Sequence, residues 1–110
     1  MKIAVQDDVE IWRFSINQLL SMDGHQVDVF TEESIIPPNK QYDVVIMDNM
    51  LGRGDTGQER LCNLRRHGFE GKMLLYTTEA HLACEITAKK FGFEIVSKDE
   101  YIDDIVAKFC

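Results

Sequence analysis

The feature that most constrains the fold is a regular alternation of short apolar runs with segments that have the spacing of amphipathic helices. Strands that alternate with helices predict a parallel sheet covered by helices on both faces, an α/β architecture. A chain of 110 residues suits one domain with one core, so we expect residues 1–110 to form a single domain without an output domain. The apolar runs are residues 2–6, 26–30, 42–47, 73–76 and 93–97.

The segments between the apolar runs have helical spacing and helical stop signals. Gly24, Gly68 and Gly92 follow three of them, at positions where a left-handed helix cap favours glycine. Pro37 and Pro38 limit the helix predicted after the second strand to one or two turns. In the first and last helices, one apolar stripe is predicted to face the core. These stripes are Trp12, Ile16, Leu19 and Leu20, and then Ile102, Ile105, Val106 and Phe109.

The polar interruptions of the strands predict their order in the sheet. Val44–Met47 within the third run and Met73–Tyr76, the fourth run, are apolar without a break, as in strands buried on both faces. Asp28 and Glu94 interrupt the second and fifth runs, which indicates edge strands. Outer second and fifth strands fit a doubly wound, five-stranded parallel sheet of order 2-1-3-4-5.

Polar side chains follow the carboxyl ends of four of these strands. In an open parallel sheet these ends lie on one edge, and ligands bind there at the point where the strand order reverses. In this order the reversal falls between the first and third strands. The sequence therefore predicts one small cleft that contains three carboxylates, a hydroxyl and an ammonium group. The residues are Asp7, Asp8, Asp48, Thr77 and Lys98.

The crowding of three carboxylates predicts a bound divalent cation. Neighbouring carboxylates raise one another's pKa, and a hard cation such as Mg2+ relieves their repulsion. With the cation present, Asp48 can stay ionised and act as a nucleophile. Lys98 and Thr77, or Thr78 in its place, could hold the oxygens of an incoming anion. A tetrahedral phosphoryl group fits this arrangement.

Each of these residues also has a simpler interpretation. Asp7 or Asp8 could cap the first helix, which is predicted to begin beside them. Asp48 could be a loop residue, and Lys98 could be a solvated surface lysine. The combination at four strand ends favours the functional interpretation over any of these taken singly.

The overall charge restricts the partners. The 12 basic and 19 acidic residues give a net charge of −7, which disfavours direct binding to nucleic acid or to an anionic membrane. The amino terminus lacks the apolar stretch of a secretory signal or a membrane span. The three cysteines form no C-x-x-C pair, so we expect reduced thiols. These features together predict a soluble cytoplasmic protein.

Four segments resemble the receiver domain of two-component response regulators, in the order typical of that family. They are VQDDVE, YDVVIMDNM, LLYTTEA and FEIVSKDE, and the resemblance extends over essentially the whole chain. It implies a flavodoxin-like fold and a signalling protein rather than an enzyme, with Mg2+ as its cofactor. The implied partners are a sensor histidine kinase or phosphotransfer protein and a downstream protein that the sequence does not identify. A homodimer through the last two helices is possible in such a domain.

The resemblance implies a role for each residue of the predicted site. Asp48 corresponds to the aspartate that accepts the phosphoryl group. Asp8 corresponds to the direct magnesium ligand and Asp7 to one that acts largely through water, while the backbone carbonyl of Met50 corresponds to a further ligand. The two remaining residues correspond to groups that approach the phosphoryl oxygens. They are Thr77, the switch hydroxyl, and Lys98, the paired ammonium.

The sequence departs from the family pattern at several positions. Asp99 stands where proline usually follows the lysine, so the Lys98–Asp99 peptide is expected to be trans. Ile95 replaces the usual aromatic switch residue. Gly52 stands where proline is common, and the loop after Asp48 is one residue longer than usual. The last helix is short and stops at Cys110. These departures leave two alternatives open: a degenerate receiver that acts as a phosphate-independent interaction module, or a receiver fragment of a longer regulator.

Overall fold

The five predicted strands form one parallel sheet in the computed structural model, which describes residues 1–38, 41–52 and 55–108. Its order is β2-β1-β3-β4-β5, as the sequence predicts. The strands are β1 (Lys2–Gln6), β2 (Gln26–Phe30), β3 (Val44–Met47), β4 (Lys72–Thr77) and β5 (Phe93–Ser97). The third strand is shorter and the fourth longer than predicted.

Helices cover both faces of the sheet. They are α1 (Glu10–Met22), α2 (Gly57–Arg66), α3 (Glu85–Phe91) and α4 (Ile102–Ala107), with a 3-10 turn at Ala80–Leu82. Gly24, Gly68 and Gly92 follow three of the helices with φ angles of 88°, 97° and 77°. These left-handed conformations confirm the predicted stop signals, since glycine adopts them without a steric penalty. No helix in the described part of the chain combines the length and apolarity needed to cross a membrane.

The core has two layers, one on each face of the sheet. Leu61 and Leu64 of α2 pack with Val45 and Met73 on one face. On the other face, α1 and α4 contribute the buried side chains of Ile16, Leu20, Ile102, Ile105 and Val106. The predicted stripe of α1 is wrong at one position, because Leu19 is 39% exposed. Phe109 and Cys110 lie outside the described residues.

The helix predicted between β2 and β3 is wrong over the described residues 31–38, which form a turn followed by a segment without regular secondary structure. Side chains from other parts of the chain donate hydrogen bonds to three backbone carbonyls of this segment. Gln6 Nε2 donates to the carbonyls of Thr31 and Ser34, at 2.7 and 2.5 Å. Arg60 of α2 donates to the carbonyls of Glu32 and Ser34, at 2.6 and 3.2 Å. These bonds satisfy carbonyl oxygens without a helical turn.

Candidate functional site

Three carboxylates meet at the carboxyl edge of the sheet, where the order of the strands reverses. Asp7 and Asp8 follow β1 and Asp48 follows β3, and one oxygen from each lies within 4.8 Å of the other two. We call Asp7, Asp8 and Asp48 the acidic cluster. Asp7 is 1% exposed and Asp48 is 6% exposed, whereas Asp8 is nearer to solvent. Together these three residues could hold a divalent metal ion through oxygen ligands.

The register of the central strands brings the acidic cluster together. Gln6 at the end of β1 lies beside Met47 at the end of β3, so the residues that follow them leave the sheet side by side. The backbone N–H of Asp48 donates to the carbonyl of Gln6 at 2.9 Å, which extends the pairing beyond the last strand residue. The cluster is therefore a direct consequence of the strand order.

Lys98 reaches the acidic cluster from the end of β5. Its Nζ lies 2.6 Å from Asp7 Oδ2 and 3.5 Å from Asp48 Oδ1, and its side chain is only 4% exposed. The backbone N–H of Lys98 donates to the carbonyl of Thr77 at 2.9 Å, which fixes the start of the loop. The solvated-lysine interpretation is therefore wrong, because this ammonium is buried against two carboxylates.

The electrostatic surroundings of Asp48 favour its protonated form more than water does. The pKa of Asp48 is raised from 3.8 to about 6, first by burial and then by the negative charges of Asp7 and Asp8. The ammonium of Lys98 opposes both influences. The single positive charge of Lys98 does not fully compensate the effect of burial and of the other two carboxylates on the pKa of Asp48. A further positive charge at this place would favour the ionised form of Asp48.

Thr77 is the last residue of β4 and is fully buried. Its Oγ1 accepts a hydrogen bond from the backbone N–H of Glu79 at 3.1 Å. The neighbouring Thr78 is exposed, so the strand register selects Thr77 as the inward hydroxyl. Thr77 pairs in register with Ser97, the residue before Lys98, and thus lies at the same edge of the sheet.

The loop after Asp48 packs against the beginning of α2. Met50, the predicted carbonyl ligand, pairs with Thr56 in an isolated bridge, and its side chain is 53% exposed. Gly57 opens α2 so close to this loop that a Cβ atom there would lie 2.0 Å from the carbonyl oxygen of Asp48. Only glycine permits this approach. Residues 53 and 54 of the predicted longer loop lie outside the described residues.

The helix-cap interpretation of the two leading aspartates is wrong. The N-cap residue of α1 is Val9, whose side chain makes no capping bond. Asp7 Oδ1 accepts a hydrogen bond from the backbone N–H of Val9 at 2.9 Å, but Asp7 itself lies two residues before the helix boundary. The second carboxylate oxygen of Asp7 bonds Lys98. Asp7 thus orders the start of α1 while it takes part in the cluster.

Sequence reasoning missed two residues of α1 that contact this site. Arg13 Nη1 donates to the backbone carbonyl of Asp7 at 2.7 Å. The ring of Trp12, which was predicted to be a core residue, is only partly buried, and its centroid lies 4.4 Å from Lys98 Nζ. Neither contact leaves a signal in the sequence, because helical periodicity assigns Trp12 to the core and Arg13 to the surface.

Comparisons with known proteins give matches to solved structures alone. No family model matches this sequence, and no curated protein matches it. A response regulator from Thermotoga maritima in complex with Mg2+–BeF has a TM-score of 0.82 at 24% identity, over 98% of this chain and 95% of its own. A CheY-like receiver domain protein from Methanospirillum hungatei has a TM-score of 0.82 at 21% identity, over 98% and 89%.

A third solved structure carries a modified site. It is a response regulator from Burkholderia pseudomallei with a phosphorylated aspartic acid, a calcium ion and citrate. It has a TM-score of 0.81 at 22% identity and covers 96% of this chain, which spans 64% of the length of the Burkholderia chain. These similarities and the strand order show that the chain has the receiver fold of response regulators.

Proposed function

We propose that this chain is a phosphoacceptor receiver domain in which Asp48 takes a phosphoryl group from a histidine kinase or a phosphotransfer protein. The observation that carries the proposal is the meeting of the acidic cluster with the buried ammonium of Lys98 at the edge where the strand order reverses. Among the similar structures, the Burkholderia protein has a phosphorylated aspartic acid and the Thermotoga protein binds Mg2+–BeF. Both support the same chemistry here.

The donor set of the cluster fits a magnesium ion. Asp7, Asp8 and Asp48 offer oxygen atoms within 4.8 Å of one another, and Mg2+ prefers oxygen ligands. The backbone carbonyl of Met50 is the proposed fourth protein ligand. When bound, the ion supplies positive charge that favours ionised Asp48 and neutralises phosphoryl oxygens.

The residues of this chain carry out the transfer itself by holding and orienting the reacting groups. An Asp48 oxygen attacks the phosphorus of a phosphohistidine, so that a P–O bond forms while the P–N bond breaks. The imidazole leaves with the electron pair and takes up a proton from solvent. The Lys98 ammonium and the Thr77 hydroxyl are placed to bind phosphoryl oxygens as the transfer proceeds. Hydrolysis by water later returns Asp48 and releases inorganic phosphate.

Intact-mass spectrometry after treatment with acetyl phosphate and magnesium tests the proposal. We expect the mass of one phosphoryl group on the wild-type chain, no addition without magnesium, and no addition to Asp48→Asn. Asp104→Asn, an exposed position on α4, is the matched control and should gain the phosphoryl group normally. If the wild-type chain gains no mass at any magnesium concentration, the phosphoacceptor proposal is wrong, and a phosphate-independent interaction module becomes the better interpretation.

The single tryptophan of the chain gives a separate test of metal binding. Because the Trp12 ring lies 4.4 Å from the ammonium that pairs with Asp7, a cation bound at the cluster should change its fluorescence. We expect a saturable change with magnesium that is lost in Asp8→Asn. An identical titration of the Asp8→Asn variant would show that the ion binds elsewhere.

The proposed lifetime of the phosphorylated form depends on Met50. In receiver domains the positions of Met50 and Glu79 flank the path of the attacking water, and an apolar side chain at the first position is expected to slow hydrolysis. The Met50 side chain is 53% exposed, so it can be replaced without disturbing the core. We expect Met50→Asn to lose its phosphoryl group faster than the wild-type chain in magnesium, as followed by intact mass. An unchanged rate would remove this role for Met50.

A further inference from the structure

The Lys98 ammonium contacts both carboxylates and an aromatic ring. Its Nζ lies 2.6 Å from Asp7 Oδ2 and 3.5 Å from Asp48 Oδ1. The centroid of the Trp12 ring lies 4.4 Å from the same Nζ atom. An ammonium near the face of an indole ring is attracted by the negative charge of the π system. Trp12 therefore helps to shield this ammonium from solvent, in agreement with the 4% exposure of the Lys98 side chain.

A second aromatic ring holds Trp12 in this position. Tyr76 of β4 meets Trp12 edge to face, with ring centroids 6.2 Å apart and an interplanar angle of 89°. Tyr76 is 3% exposed, and its hydroxyl donates to the backbone carbonyl of Glu100 at 2.6 Å. Glu100 lies in the loop that Lys98 begins. The tyrosine thus joins the indole ring and the lysine loop to one buried strand.

The backbone of this loop is held by the bonds from Lys98 N–H to Thr77 O at 2.9 Å and from Glu100 N–H to Ser97 O at 3.1 Å, but these bonds do not fix the long side chain of Lys98. The Lys98–Asp99 peptide is trans, like every other described peptide bond, and Asp99 has the backbone freedom that a proline would remove. A lysine side chain has a flexible stem of four carbons and loses considerable rotamer freedom when it is held in one place. The contacts of the ammonium with the two carboxylates and with the Trp12 ring restrict that freedom before a phosphoryl group arrives.

We propose that Trp12 is a positioning residue for phosphoryl transfer, which holds the Lys98 ammonium against the acidic cluster through a cation–π contact that Tyr76 supports. This role rests on the proposed phosphoacceptor function and adds to it a residue outside the strand ends. Trp12 touches no reacting atom and acts through Lys98 alone. Its removal slows the transfer of a phosphoryl group to Asp48 without removing the acceptor.

Fluorinated tryptophans test this role with almost no change of shape. Because Trp12 is the only tryptophan, growth on 5-fluoro-, difluoro- or trifluorotryptophan changes this one ring. Each fluorine withdraws electrons from the ring and weakens its attraction for a cation. We expect the rate of phosphorylation by acetyl phosphate to fall step by step with the number of fluorines, while the unfolding midpoint changes little. A residue that only fills space would give a flat series.

Substitutions at the same positions provide the controls. Trp12→Leu should slow phosphorylation about three- to thirtyfold, the range that corresponds to the usual strength of a cation–π contact. Trp12→Phe keeps an aromatic face and should recover part of the rate. Phe14→Leu changes an exposed aromatic residue of the same helix and should have no effect. Tyr76→Phe keeps the ring and loses the bond to Glu100, so an intermediate rate is expected.

The outcomes separate this inference from the proposed function. A flat fluorine series with a normal wild-type rate overturns the role of Trp12 and leaves Asp48 as the acceptor. A wild-type chain that takes no phosphoryl group overturns both. The contact itself has an independent readout, since the Lys98 protons beside the ammonium should resonate upfield in the wild-type chain and at ordinary shifts in Trp12→Leu. Ordinary shifts in both proteins would also overturn the inference.

Discussion

At the scale of single residues, the negative charges at the site repel one another, and the one ammonium group nearby does not fully balance them. Asp48 is buried beside Asp7, and Lys98 compensates the two carboxylates only in part. A protein without function at this place would gain stability by losing one of the charges, since unpaired buried charge is costly. This charge imbalance predicts that removal of a carboxylate raises the free energy of unfolding and that removal of the ammonium lowers it.

Asp48 should make the chain less stable as the pH rises from about 4 to about 6 in the absence of magnesium. Its pKa is raised from 3.8 to about 6 in the folded state, so the folded chain binds this proton more tightly than the unfolded chain does. The free energy of unfolding therefore loses about 2–3 kcal/mol across this range through Asp48. Urea unfolding at several pH values in a chelating buffer measures this loss. Asp48→Asn should remove it and be the more stable protein at pH 7, and a variant less stable than wild type there would contradict the account.

Removal of the ammonium should have the opposite effect. Lys98→Met leaves the buried carboxylate of Asp7 without the ammonium that lies 2.6 Å from it. Breaking a buried ion pair on one side costs about 3–5 kcal/mol of unfolding free energy. Asp7→Asn in the same chain should recover much of that loss, and Lys89→Met, at an exposed position of α3, should cost little. If the single and double variants lose the same unfolding free energy, the loss does not come from the broken ion pair between Lys98 and Asp7.

At the scale of elements, the packing of α2 on the loop after Asp48 couples a helix to the site. The backbone N–H of Gly57 donates to the carbonyl of Asn49 at 2.9 Å. The side chain of Thr56 and that of Glu59 close a capping box at the same helix start. The position of Asp48 thus depends on where α2 begins.

Gly57→Ala should damage both the fold and the phosphorylation reaction. The new Cβ would meet the carbonyl oxygen of Asp48 at 2.0 Å, so α2 or the loop must move, at a cost of about 1–3 kcal/mol. Gly71→Ala is the matched control, because its Cβ would meet Asp43 O at 2.8 Å and Phe69 Cζ at 2.7 Å, at the other end of β4. Chemical unfolding and phosphorylation by acetyl phosphate are both measured. Both variants should lose stability, and only Gly57→Ala should lose rate when the folded fractions are equal.

The hydrogen bonds of Arg65 in α2 are a feature that could not be predicted from the sequence. Its position near the end of α2 suggests a charge that suits the helix dipole. In the structure it donates four hydrogen bonds to the carbonyls of Phe69, Gly71, Phe91 and Gly92, at 2.7–3.1 Å. The carbonyls of Phe91 and Gly92 lie 26 and 27 residues away in the sequence, so no local pattern marks these two bonds.

The parts that the sequence does predict depend on local periodicity and on strand order. Unbroken apolar runs mark β3 and β4, and the order of the strands then places Asp7, Asp48 and Lys98 together without further information. Two of the failures share one cause, namely side-chain contacts between residues far apart in the sequence. Gln6 and Arg60 bond the carbonyls of the segment after β2, where a helix was predicted, and the partly buried Trp12 contacts Lys98.

At the scale of the whole molecule, a net charge of −7 is concentrated in part at one edge of the sheet. A cation that binds the folded chain and not the unfolded chain stabilises it by mass action. Magnesium bound at the acidic cluster, as proposed, would therefore link the repulsion at Asp48 to the global stability of the domain. Binding of magnesium at the site should stabilise the chain more than a salt of equal ionic strength that only screens the negative charges.

Magnesium should raise the thermal unfolding midpoint more than sodium chloride of equal ionic strength. The gain in unfolding free energy is about 2.7 kcal/mol when the ion is present at about 100 times its dissociation constant. Differential scanning calorimetry with increasing MgCl2 measures the effect. Asp8→Asn should respond to MgCl2 only as it does to sodium chloride, and a full magnesium response in that variant would contradict the proposed ligand set.

The most direct measurement of the central claim is a crystal structure of the chain grown with magnesium and beryllofluoride, which mimics a phosphoryl group on a carboxylate. The account predicts beryllium bonded to an Asp48 oxygen, magnesium among Asp7, Asp8 and Asp48, and Lys98 in contact with fluoride beneath the ring of Trp12. Beryllofluoride absent from Asp48 at saturating concentration, with Lys98 still bound to Asp7 and no metal at the cluster, would contradict it.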